Sequence, residues 1–135
     1  MPRMSRFLPI VTLLLAGCAG TDAIHRQAEG ALGPYSASVT TGELCFVSGQ
    51  IAPDPDFAKE AEGALRKIEA QLERCGRELA HIVSATVYLT DMDLYGAFNE
   101  VYAGVLPAPY PARACVAVRA LPGGARVEVQ VIAAR

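Results

Sequence analysis

Residues 111–133 read PARACVAVRALPGGARVEVQVIA, and this stretch decides the fold. Two alternating runs flank Leu121-Pro122-Gly123-Gly124. In the first, Arg113, Cys115, Ala117 and Arg119 share one face, and Ala114, Val116, Val118 and Ala120 share the other. In the second, Arg126, Glu128 and Gln130 alternate with Val127, Val129 and Val131. Period two bounded by Pro and Gly predicts a β-hairpin with one wet face and one packed face. The valines of both runs are expected to meet helices. The wet face then carries Arg113 and Glu128, which the pattern alone reads as ordinary charges on a solvated strand. If Ala120 faces Ala125 across the turn, the two Cα atoms lie roughly 13 Å apart. That is too far for one small substrate to touch both within a subunit, unless a bulge shifts the register.

Upstream, Ile82–Thr90 (IVSATVYLT) is β-branched and apolar, as a central strand should be. Asp91-Met92-Asp93 offers an N-cap for a helix over residues 94–104. Leu94, Phe98, Val101, Tyr102 and Val105 line its inner side, and Leu106-Pro107-Ala108-Pro109-Tyr110-Pro111 ends it in extended chain. Residues 57–75 form a longer helix. Ala61, Ala64, Leu65, Ile68, Leu72 and Cys75 recur at three- and four-residue steps, Asp54 or Asp56 caps the start, and Gly76 ends it. The charges off this stripe, Glu60 among them, read as a solvated face, with Glu62 and Arg66 spaced as a helical ion pair. Ser38–Thr41 and Leu44–Ser48 read as paired strands about Thr41-Gly42-Glu43. The element order β-β-α-β-α-β-β predicts an α+β fold, a single mixed sheet with two helices on one face. The other face, a mixture of small, apolar and polar residues, suits burial against further copies of the chain.

The chain has 135 residues, 52% hydrophobic and 19% charged, which is enough for one globular core. Residues 19–31 form a polar tether, and residues 32–135 the domain. Residues 1–18 stand apart. Arg3 and Arg6 precede the short apolar run Phe7–Ala16, too short to span a bilayer as a mature helix. Leu15-Ala16-Gly17-Cys18 resembles a bacterial lipobox. That implies lipidation of Cys18 and membrane anchoring in the cell envelope. Ala19 rather than Asp at the next position favours an outer membrane. A plain secretory peptide with a fortuitous Cys18, or a misplaced start codon, are the other readings of these residues. Without residues 1–18 the chain keeps 10 bases against 14 acids, a net charge of −4, and has no Lys/Arg cluster. This argues against a nucleic-acid partner.

Chemistry is narrowed by elimination. His25 and His81 have no partner at metal-ligand spacing, so no metal site is expected. Cys45, Cys75 and Cys115 lie in apolar patterns and read as small buried hydrophobes. Nucleotide-binding and serine-hydrolase motifs are lacking from the sequence.

The 111–133 stretch, with Gly33-Pro34-Tyr35, Ser48-Gly49-Gln50 and Asn99-Glu100-Val101-Tyr102, resembles the RidA/YjgF imine deaminase family over about residues 32–134. The resemblance implies a chorismate-mutase-like (RidA) fold and a homotrimer with its sheets packed in the centre. It also implies hydrolysis of reactive 2-imino or 2-enamino acids to 2-oxo acids and ammonia, with no metal or organic cofactor. Arg113 would anchor the substrate carboxylate through its planar fork. Glu128 would position or deprotonate water, in a site shared between subunits. Tyr35 would serve as a lid, with Ser48, Gly49, Asn99 and Cys115 contacting substrate. Some proteins of the similar family have been called ribonucleases, a role the charge pattern here does not support. The stretch Ile51–Asp56 is shorter than is usual in the similar family, which puts one pocket wall in question. An envelope protein that keeps this fold and binds a small carboxylate, or acts as a holdase, without turnover is the competing expectation.

Overall fold

The long helix forms where the apolar stripe predicts it. In the computed structural model, which describes residues 23–135, α1 spans Phe57–Arg74. Asp56 caps it by accepting from the Ala58 amide at 2.9 Å, and Gly76 follows at φ 64°, a backbone conformation that suits glycine. Ala61, Ala64, Leu65, Ile68 and Leu72 are buried against the sheet. Arg66 pairs with Glu62 at 3.4 Å, as its spacing predicts, and with Glu69 at 3.0 Å. The lipobox and Cys18 lie outside the described residues.

The strands are β1 (His25–Gln27), β2 (Ser38–Thr41), β3 (Leu44–Gln50), β4 (Ile82–Leu89), β5 (Ala112–Ala117) and β6 (Val127–Ala134). The second helix, α2, spans Tyr95–Val105. One six-stranded sheet runs in the order β1-β2-β3-β6-β4-β5. Every neighbouring pair is antiparallel except β4 and β5, so the sheet is mixed, and the helices cover one face of it as expected. The sheet begins inside the tether: His25–Gln27 pairs with β2 at the far edge.

The hairpin is corrected. β5 and β6 do not pair, because β4 runs between them and hydrogen-bonds both. Nine residues, 118–126, connect them by way of a single 3-10 turn at Pro122–Gly124. That is long enough for the chain to step over one strand. Val118 donates to Leu89 O and Thr90 to Arg126 O, so the connection stays stitched to the end of β4. β4 is apolar enough to hold this interior position, with Ile82, Ala85, Val87 and Leu89 buried.

A second correction follows from the registers. Cys115 and Val129 both stand opposite Val87, and Arg113 and Val131 both stand opposite Ala85. Residues directly across neighbouring strands share a face. Arg113 and Cys115 therefore lie on the helix side with the core valines, whereas Val116, level with Tyr88 and Glu128, lies on the bare face and is 44% exposed. Val116 does not face the helices as the alternation suggests. Leu44 and Phe46 of β3 are likewise exposed. The helix-free face thus presents large apolar side chains to solvent in the single chain.

Glu60 is also corrected. It is 1% exposed rather than solvated, and its carboxylate takes the Arg126 amide at 2.6 Å and Arg126 Nε at 2.7 Å. A guanidinium nitrogen of Arg126 also reaches Asp54 O at 2.7 Å. These bonds clamp the start of α1, the 51–56 loop and the start of β6. Glu60→Gln keeps the shape but removes the charge from a charge-assisted bidentate pair. It should cost about 1–3 kcal/mol of stability in urea unfolding. A stability within error of wild type would show that the clamp carries no net weight.

Candidate functional site

β5 is the last strand of the sheet, and its helix-side residues look onto α2. Tyr95, Phe98 and Tyr102 recur at steps of three and four residues and form one stripe, with Asn99 beside it. Arg113 lies under this stripe. Its guanidinium donates to Asn99 Oδ1 at 2.7 Å and to Tyr95 Oη at 3.3 Å, and sits 4.8 Å from the Tyr102 ring centroid. Aromatic faces hold a guanidinium without neutralising it. Among the described residues no carboxylate lies within 4 Å of Arg113, whereas Arg66, Arg74 and Arg126 all have acidic partners. A cavity of about 370 Å³, lined by Asn99, Tyr102, Ala103, Tyr110, Pro111 and Arg113, opens beside it. The cation is thus oriented, half-buried and available to an incoming anion.

Tyr102 was expected only as a core residue. It is 5% exposed, its hydroxyl has no hydrogen-bond partner among the described residues, and burial pushes its pKa up against the pull of Arg113. The aromatic stripe is readable in residues 95–102, but its apolar spacing reads equally as core. Cys115 stands two residues beyond Arg113 on the same side and packs against the core. Burial raises its thiol pKa, with Arg113 opposing.

Glu128 occupies the other face. Between Val47 and Gln50 the β3–β6 register shifts, and Ser48 and Gly49 form the irregularity. Gly49 lies directly under Glu128, so that a Cβ there would displace the carboxylate from this position. The Ser48 hydroxyl donates to Ser36 O at 2.7 Å, a bond that ties β3 to the segment next to Tyr35. Tyr35 is 46% exposed at the rim, where its hydroxyl accepts from the Leu32 amide. Leu32, Tyr35, Gly49, Ile51, Pro122 and Glu128 enclose about 190 Å³. Ile51, held by Lys67 Nζ donating to its carbonyl at 2.7 Å, supplies the wall that the short 51–56 loop put in question.

The predicted residues therefore fall into two groups. Arg113, Asn99 and Cys115 gather at the β5 edge on the helix side, and Tyr35, Ser48, Gly49 and Glu128 gather on the bare side. The shared wet face expected for Arg113 and Glu128 does not exist, because β5 presents its odd-numbered residues to the helices. Arg113 is level with Ala85 and Glu128 with Tyr88, two strands apart. Their Cα atoms are roughly 14 Å apart, with the sheet between the side chains.

A protein-family model described as endoribonuclease L-PSP matches residues 25–135. The chain is 42% identical over 114 residues to the RutC family protein y4sK of Sinorhizobium fredii, covering 78% of this chain and 90% of that protein. It is 36% identical over 115 residues to a Homo sapiens protein named 2-iminobutanoate/2-iminopropanoate deaminase, covering 79% of this chain and 84% of the relative. This chain belongs to the RidA/YjgF family. The RidA/YjgF match starts at His25, the first residue of β1, so the edge strand inside the tether is part of the family's domain. The crystal structure of E. coli TdcF with bound serine has the same fold, with a TM-score of 0.75 and 34% identity over 78% of this chain and 91% of that one.

Proposed function

We propose that the protein hydrolyses 2-imino and 2-enamino acids to 2-oxo acids and ammonia, in sites completed across a subunit interface. The observation that carries this reading is Arg113, a guanidinium oriented by Asn99 and Tyr95, with no acidic partner among the described residues and an open cavity beside it. An α-carboxylate is the planar anion that such a fork binds best. The serine bound to TdcF is a compound of that kind, and the deaminase name of the human relative supplies the reaction class.

The chemistry needs a water and a base. Glu128 takes a proton from water as its oxygen attacks the carbon of the protonated imine, giving a neutral carbinolamine. The protonated carboxyl then gives that proton to the departing nitrogen. The C–N bond breaks as the C=O bond forms, Glu128 takes up the carbinolamine O–H proton, and ammonia leaves with it as ammonium. An enamino acid is first protonated at its β-carbon to reach the imine. Since Arg113 and Glu128 lie on opposite faces, Glu128 must come from a neighbouring subunit. The apolar bare face with Leu44, Phe46 and Val116 supports such an assembly, which we take to be a homotrimer with the sheets inward.

The test generates 2-iminopropionate in situ with an amino-acid oxidase and follows pyruvate and ammonia. The wild-type chain should accelerate both above the spontaneous rate. No acceleration on this or longer-chain imino acids would sink the proposal.

A further inference from the structure

Three polar side chains that the deaminase reading does not use meet beneath the C-terminal end of α1. Cys45 of β3 is fully buried, and Thr40 stands opposite it on β2, two residues from Ser38. Cys75, the C-cap residue of α1, is half-buried, and its thiol donates to Ser38 Oγ at 3.4 Å. Ser38 and Thr40 share one side of β2, so the thiol bonded to Ser38 and the cysteine opposite Thr40 flank the same pair of hydroxyls. The third group is Arg77. It is 4% exposed, has no carboxylate partner among the described residues, and leaves its buried Nε unpaired. Its other nitrogens reach only carbonyls, Cys75 O at 3.1 Å and Glu43 O at 3.0 Å.

A buried guanidinium facing only neutral groups is costly, and a nearby anion offsets the cost. The thiols are the groups that can provide one. Burial raises the Cys75 pKa, but hydrogen bonds from Cys45, Ser38 and Thr40, with the charge of Arg77, outweigh it and leave the pKa lowered. Cys45 moves the other way. Burial and its neighbour Cys75 push it up to about 12, so it keeps its proton. Burial separates the two thiols: Cys75 is half-buried and Cys45 fully buried, so Cys75 is the one a small oxidant reaches first and Cys45 lies behind it, as a nucleophile and a resolving thiol require.

We propose that Cys75 and Cys45 form an oxidisable dithiol, with Cys75 the peroxide-reactive thiol and Cys45 the resolving one. The Cys75 thiolate attacks hydrogen peroxide. An S–O bond forms, the O–O bond breaks, and hydroxide leaves and takes up a proton, giving a sulfenic acid. Cys45 sulfur then attacks Cys75 sulfur. The S–S bond forms, the S–O bond breaks, and water departs with the Cys45 proton. Two electrons pass from the thiols to peroxide. The product staples α1 to the strand that carries Gly49, and its formation does not depend on the deaminase reading.

The test treats reduced full-length protein with hydrogen peroxide and maps tryptic peptides without reduction. The expected product links residues 27–59 to residues 75–77, about two mass units lighter than the sum of the two peptides. In Cys45→Ala, a sulfenic acid at Cys75 should accumulate and be trapped by dimedone. In Cys75→Ser, Cys45 should remain unmodified. Absence of the crosslink from oxidised wild type would overturn the proposal. So would oxidation of Cys115 while Cys75 stays reduced.

Discussion

Arg113→Ala is expected to lower kcat/KM on imino acids by about 10²–10⁴-fold. The substitution removes a charge-assisted, bidentate anchor and leaves the substrate carboxylate facing Tyr95, Phe98 and Tyr102. Arg113→Lys keeps the charge but loses the planar guanidinium, whose Nη2 donates to both Asn99 and Tyr95 and leaves the other nitrogens to a carboxylate. It should fall between wild type and alanine, chiefly through KM, with some loss of kcat as the imine carbon is misplaced. Thermal melts run alongside separate this from damage to the aromatic stripe. Arg113→Ala that turns over substrate as fast as wild type would place the carboxylate anchor elsewhere.

Glu128→Gln should lower kcat by about 10²–10⁴-fold with little change in KM, since a base acts in the transition state and not in ground-state binding. The same variant tests the geometry. Each inactive chain retains the half-site that the other lacks. Arg113→Ala retains Glu128, and Glu128→Gln retains Arg113. If sites lie between subunits, dissociating and reassembling an equal mixture rebuilds about a quarter of them with both groups intact. Activity should recover toward that fraction. A site confined to one chain gives no recovery above the parents, and the opposed faces of Arg113 and Glu128 would then need a different explanation.

These experiments concern residues whose chemistry is visible in the sequence but whose placement is not. The helix over residues 57–74 follows from its apolar stripe and its Asp56 cap, both of which act within a few residues of chain. The strand at residues 82–89 follows from its β-branched run. Glu60 shows where such reading stops. Its helical position puts it next to the stripe, and only the return of β6 some 66 residues later brings Arg126 against it. The aromatic stripe of α2 has the same limit. Spacing puts Tyr95, Phe98 and Tyr102 together, but the guanidinium they hold arrives on a separate strand.

The motif residues Tyr35, Ser48, Gly49, Asn99, Arg113 and Glu128, the strand periodicities and the mixed α+β class were all determined by the sequence alone. So was the pattern around Cys18, which lies before the described residues. Tertiary structure decided that β4 separates β5 from β6 and that Arg113 points to the helices. The physical reason lies in what alternation encodes. A period of two says which residues of a strand share a side, and it is set by the local backbone. Which side meets the helices is set by pairing with strands distant in sequence, where a change of neighbour or a one-residue slip inverts every assignment. Val116 looks like the inward residue by its hydrophobicity. Yet β5 is the edge strand beside α2, where an aromatic cavity accepts Arg113 and leaves Val116 on the bare face.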